Sequence, residues 1–177
     1  MAKIAIDARE ISTSTGRYVE RLLHYLQIID HVNQYAVLLK PADFKTCEPT
    51  ADNFTKIECP HKEFTFAEQF AFKRQLKKLN PDLVHFTMVQ QPILYRGKKV
   101  TTMHDLTTLR FRNPSKNALV YWIKQRVYGF VNWYVPRTSK FIITPSEFVK
   151  NDVVAYAKVK PKKFVVTYDA ADEISDP

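Results

Sequence analysis

The stretch TTMHDLTTL (101–109) places an imidazole and a carboxylate, His104 and Asp105, directly behind the apolar, β-branched run KKVTTM. A histidine holds or moves a proton near neutrality, and a neighbouring carboxylate orients its ring or caps the turn that follows. Backbone groups at a strand end satisfy an imidazole equally well, so ligand contact depends on where the strand tip lies. Polar groups of the same kind recur elsewhere. STSTGR (12–17) leads into a helical pattern with four hydroxyls, then Gly16 and Arg17. Such a helix start either caps itself or receives an anion or a sugar hydroxyl, with Thr15, Gly16 and Arg17 nearest to it. His85 lies in DLVHF (82–86), and Ser146 opens a helical pattern after KFIIT (140–144), where capping accounts for it by itself. Cys47 and Cys59 form no CxxC pair and have no histidine at metal-ligand spacing. Neither a disulfide framework nor a bound metal is expected, and a reducing cytoplasm suits them. GxGxxG and GxxxxGK[ST] are both missing from the sequence, so neither phosphate fingerprint is supported.

The elements that must position these residues alternate. KIAID (3–7), QYAVLLK (34–40), FTKIEC (54–59), DLVHF, KVTTM (99–103), KFIIT and KFVVTY (163–168) read as short strands. Helix spacing appears from Tyr18 to Ile29, from about Phe66 to Leu79 before Asn80-Pro81, over about 115–135, and over 146–157. The strands are continuous apolar runs rather than in–out alternations, as in a parallel sheet covered on both faces. The expectation is one α/β domain: a doubly wound, mostly parallel sheet of about seven strands with helices on both faces. Such folds bind ligands beyond the carboxyl ends of the strands, near the reversal of strand order. Asp7, His85, His104 and Ser146 are all expected at that edge.

Twenty-seven Lys and Arg against 18 Asp and Glu give a formal charge of +9, which favours anionic partners. The runs KRQLKK (73–78), RGKK (96–99) and KVKPKK (158–163) lack interleaved aromatics and any helix-turn-helix or RNA-binding signature, so nucleic acid is not an expected partner. LVYWIKQRVYGFVNWYV (119–135) is different. On a helical wheel only Gln125, Gly129 and Asn132 form a polar stripe, flanked by Lys124 and Arg126, while aromatics fill much of the rest. Two readings stand. Either the helix is sunk between the sheet and its neighbours, or its aromatic and basic surface rests at a bilayer interface. The second puts Trp122, Arg126 and Trp133 on that face, with Arg110, Arg112 and Lys116 of the preceding loop meeting lipid phosphates.

Five stretches in order, IAIDAREISTSTGRYVERLL, DLVHF, VTTMHDL, FIITPSEFVKNDV and KFVVTYDAADEI, resemble the N-terminal domain of a GT-B glycosyltransferase of the family 4 type, from about residue 3 to 174. The resemblance implies a Rossmann-like half of a GT-B fold: residues 1–170 form the acceptor-side domain, 171–177 begin an interdomain hinge, and the partner is a C-terminal donor-binding domain absent from this chain. It implies transfer of a sugar, of the hexosyltransferase type, from a nucleotide-sugar to an acceptor glycan or lipid-linked acceptor. Gly16 then corresponds to the family's glycine loop near the reacting sugar, with Thr15 where a second glycine often stands. His104 matches the histidine that faces the donor sugar, in a positioning and polarising role, and Ser146 matches the serine that opens the helix after the strand. With His85 and Asp105 added from the shared edge, this is the expected substrate-binding set. GT-B enzymes generally need no bound metal, so neither metal nor cofactor is implied. The chain alone is expected to be inactive, in the cytoplasm and, with a lipid-linked acceptor, peripheral on the inner face of the cytoplasmic membrane. The alternative is a free-standing α/β module that binds a phosphorylated ligand or a partner protein at the same edge without catalysis.

Overall fold

The computed structural model describes residues 1–110 and 118–169. The apolar runs become seven strands: β1 (Lys3–Asp7), β2 (Gln34–Leu39), β3 (Phe54–Glu58), β4 (Leu83–Phe86), β5 (Lys99–Thr102), β6 (Phe141–Thr144) and β7 (Phe164–Val166). They form one sheet in the order β3-β2-β1-β4-β5-β6-β7, with every neighbouring pair parallel. The chain winds outward from β1 to β3, returns to the other side of β1 as β4, and continues to β7. Between strands lie α1 (Gly16–Ile29), α2 (Lys73–Leu79), α3 (Thr107–Arg110), α4 (Ala118–Thr138) and α5 (Glu147–Ala157).

The two-residue alternation of a strand sorts side chains between the faces. Ile6 is in register with Val37 and His85, and Val19 and Leu23 of α1 pack on that side. Ala5, Leu38, Val84 and Phe86 face the other way, against Phe72 and Leu76. Ile142 and Phe164 are in register with each other, and Ile142 with Thr101 and so with Phe86; Val131, Val135 and Val153 cover them. Thus α2, α4 and α5 share one face, and α1 alone covers the other. On α1's side Val100, Phe141, Ile143 and Val165 carry no helix among the described residues, and Phe141 and Val165 stay 42% and 46% exposed.

Three details differ from the sequence expectation. The helix expected from Phe66 starts there, but Glu68–Phe72 winds as a π-helical turn, where Glu68 is held inward; it ends as expected, with Asn80 left-handed at φ 48° before Pro81. Helix α4 runs through Pro136 to Thr138. Proline there removes one amide in the last turn, and Arg137 Nη1 and Thr138 Oγ1 donate to the carbonyls of Trp133 and Tyr134. The orientation of α4 overturns the reading of a helix sunk among its neighbours. Its polar stripe is the packed side: Gln125 Nε2 donates to the Thr108 carbonyl, Tyr156 donates to the Gly129 carbonyl, and Asn132 is buried. Trp122, Ile123, Phe130 and Trp133 are exposed instead. The proposed hinge, 171–177, lies outside the described residues.

Gly16 marks the tightest backbone approach. A Cβ there would stand 1.7 Å from the Ile11 carbonyl oxygen and 2.4 Å from its carbon. Backbone cannot swing aside as a side-chain tip would, so Gly16→Ala is expected to cost at least about 2 kcal/mol, seen as a lower urea midpoint at unchanged m-value.

Candidate functional site

At the reversal of strand order, beyond the ends of β1 and β4, the crevice is filled by the protein itself. Arg9 is buried, and its Nε and Nη2 donate to the two Asp7 carboxylate oxygens, each at 2.8 Å. Nη2 also donates to Glu68 Oε1 at 2.9 Å, Nη1 to the His61 carbonyl at 2.8 Å, and the guanidinium lies 4.3 Å from the centre of the Phe72 ring. Burial by itself would lower the Arg9 pKa; Asp7 first, and Glu68 after it, outweigh burial and hold it raised. Burial pushes Glu68 up, against the opposing charge of Arg9. Asp7 is therefore committed inward. Sequence reasoning gave Arg9 no role, and the available signal was slight: an arginine two residues past a strand-end aspartate.

The open space lies beside this crevice. A cleft of about 590 Å³ runs between α1 and the ends of β5, β6 and β7. Thr15, Arg17, Tyr18 and Arg21 line it from α1, His104 from beyond β5, and residues 167–169 from beyond β7. Its inner wall is apolar, with Leu22, Leu26 and Ile143. A second cavity of about 420 Å³, on the other flank of α1 beside Cys47, holds none of the expected site residues.

His104 Nε2 stands 3.0 Å from the Thr87 carbonyl, which can only accept, so Nε2 carries the proton and donates. In the neutral ring Nδ1 is then the acceptor nitrogen. The Tyr18 ring meets the imidazole edge-on at 5.0 Å. Tyr18 Oη lies 2.9 Å from Thr102 Oγ1, and His85 Nε2 lies 2.9 Å from the same oxygen. A short polar chain therefore leads from the cleft wall into the sheet. Sequence reasoning passed over Tyr18, whose signal was a phenol one residue after Gly16-Arg17 at the helix start.

The structure thus brings Thr15, Arg17 and His104 to one cleft and separates the others. Gly16 begins α1, buried, and its amide donates to the Thr13 carbonyl at 2.9 Å rather than to an anion. His85 is corrected: it sits within β4, is buried, and is in register with Ile6 and Val100, with Thr102 and Tyr18 between it and the cleft. Asp105 Oδ1 accepts from the Thr107 amide at 2.8 Å and so caps α3, one of the two roles its position allowed. Ser146 Oγ accepts from the Val149 amide at 3.2 Å and caps α5. Arg110 is ion-paired with Asp152 of α5, while Arg112 and Lys116 lie outside the described residues. Arg126 lies 4.9 Å over the Trp122 ring on the exposed face of α4, which Trp133 shares.

Two changes probe these buried groups. Arg9→Met leaves the carboxylates of Asp7 and Glu68 without their cation and is expected to cost about 3–5 kcal/mol in urea unfolding at neutral pH. Burial, and after it the charge of His104, push His85 down from 6.5 to about 4. The unfolded chain then binds the extra proton between those values, so stability falls as pH drops from 6.5 towards 4, by up to about 1.4 kcal/mol per pH unit from this group. His85→Gln is expected to flatten that limb of the stability–pH curve, measured by urea unfolding across this range.

The family model described as Glycosyltransferase Family 4 matches residues 15–173, from the N-cap of α1 to beyond β7. No curated protein matches the chain. Among the described residues no helix is long and apolar enough to cross a membrane. With a seven-stranded parallel α/β half-fold and that match over most of its length, the chain belongs to Glycosyltransferase Family 4.

Proposed function

We propose that this glycosyltransferase-type domain is the acceptor-binding N-terminal half of a hexosyltransferase, which moves a sugar from a nucleotide-sugar to a lipid-linked acceptor at the inner surface of the cytoplasmic membrane. The observation that supports this most is His104 in the wall of the cleft, with its Nε2–H tied to the Thr87 carbonyl. Glycosyl transfer needs an acceptor held against the anomeric carbon and a leaving nucleotide whose growing charge is stabilised. Arg9 fills the crevice where a doubly wound sheet would otherwise take a nucleotide, so the reading assigns the pyrophosphate to a partner, the C-terminal donor-binding domain. Thr15 and Arg17 line the mouth of the cleft, Gly16 keeps the helix start close beneath them, and His104 positions and polarises a sugar hydroxyl. Asp105 and Ser146 act on the edge as caps, and no metal or cofactor is called for. The exposed aromatic and basic face of α4 supports a membrane-surface acceptor.

The test uses the longest natural product of the gene, given UDP-, GDP- and ADP-sugars with a lipid extract, and follows nucleotide release. Release with one donor, dependent on the extract and reduced about 10²-fold in turnover by His104→Ala, is the expected result. No release with any donor from a folded protein would favour the non-catalytic binding module, and phosphorylated small molecules should then raise its Tm.

A further inference from the structure

Tyr18 departs from the rest of α1. Its neighbour Val19, with Leu23, packs over Ile6 and Val37 of the central strands. Tyr18 reaches past β4 instead, to β5, where its Oη lies 2.9 Å from Thr102 Oγ1. His85 Nε2 of β4 meets the same oxygen at 2.9 Å, and both Thr102 and His85 are buried. Burial raises the Tyr18 pKa above the ordinary phenol value, so the hydroxyl keeps its proton and its bond into the sheet. One end of the side chain is therefore fixed, while its ring stays in the cleft wall.

That ring stands against His104, with the centroids 5.0 Å apart and the planes at 80°. The imidazole has a second hold, from another element. Its Nε2 proton goes to the Thr87 carbonyl at 3.0 Å, and Thr87 Oγ1 donates in turn to the Asp7 carbonyl at 2.6 Å. A histidine side chain turns about two torsions, and a neutral imidazole in water takes either tautomer. The Thr87 carbonyl selects one tautomer only while the ring stays within its reach. We propose that Tyr18 is a positioning residue for His104: a strut anchored at Thr102 that keeps the imidazole on the Thr87 carbonyl and leaves Nδ1 as the acceptor for a sugar hydroxyl. This rests on the transferase reading for its chemistry, but the hold on the ring is measurable without transfer.

Tyr18→Met fills much of the same space without an aromatic ring, and Tyr18→Phe keeps the ring without its hydroxyl. Imidazole 1H–15N correlation spectra of the full chain are recorded at about pH 9, where an imidazole is neutral. His104 is assigned by the signals lost in His104→Ala. The wild type should show a single Nε2–H tautomer for His104 and a nuclear Overhauser contact between its ring and that of Tyr18. Tyr18→Met should show both tautomers and Tyr18→Phe mainly the first. Ile28→Ser, on the exposed side of α1, should keep the wild-type pattern. Far-UV circular dichroism checks that each variant is folded, and the wild-type ring contact needs no variant. In the longest natural product of the gene, Tyr18→Met should lower turnover about 10- to 10²-fold with little change in KM, and Tyr18→Phe should restore most of it. No ring contact in the wild type, one tautomer in a folded Tyr18→Met, or lost turnover with undisturbed imidazole signals would overturn the proposal. Transfer that survives Tyr18→Met unchanged would also overturn it, and would leave the enzymatic reading standing. Mixed tautomers in Tyr18→Met, without transfer by any form of the protein, remove the enzymatic reading alone.

Discussion

The buried guanidinium of Arg9 is the constraint on which the rest of the structure turns. Its donors reach the end of β1 through Asp7, the segment after β3 through the His61 carbonyl, and the π turn through Glu68. A fourth, longer contact runs to the Gln90 carbonyl beyond β4. Arginine suits this place because its planar fork serves several acceptors in fixed directions and stays charged when buried. Buried charges are costly to desolvate, and two carboxylates around one cation are stable only while every contact is kept. The same cluster fixes the π turn, holds Phe64 through its amide and occupies the crevice at the switch point. Interior electrostatics and exterior loop shape therefore share one side chain, Glu68.

The cleft follows from an uneven distribution of helices. With three major helices on one face and α1 alone on the other, a gap remains between α1 and the outer strands. Strand ends then supply its chemistry, because a parallel sheet delivers every carboxyl end to the same edge. His104 reaches the cleft because β5 ends at Thr102, two residues before it. His85 does not, because it is inside β4 rather than past its end.

The fold was legible because its signals are local. Seven apolar runs of strand length, separated by helix-period segments, specify a covered parallel sheet without any knowledge of partners. Asp105 and Ser146 were legible only as alternatives, since a carboxylate or hydroxyl at an element boundary caps and binds with the same atoms; the amides of Thr107 and Val149 show the capping role of each. Arg9 was barely legible: Asp7 stands two residues away, but its other partners Glu68 and His61 are far along the chain and nothing local marks them. The α4 wheel left two readings open for a physical reason: Gly129 and Asn132 permit close packing beside Val131 and Val135, while Trp122, Phe130 and Trp133 face outward. The wheel gave the stripe correctly but not which side the protein covers.

The bare side of the outer strands has a dynamic consequence. Strands β1 and β2 are packed from both sides, whereas β6 and β7 have a helical layer on one side only and end in an edge. Local opening is cheapest where the fewest apolar contacts must be broken. Amide protons of β7 are therefore the first in the sheet to exchange with solvent, well before those of β1. Residues 167–169, part of the cleft wall, hang from that strand. The wall can breathe with β7 while Arg9 and the central strands stay closed, so the width of the cleft varies without disturbing the core.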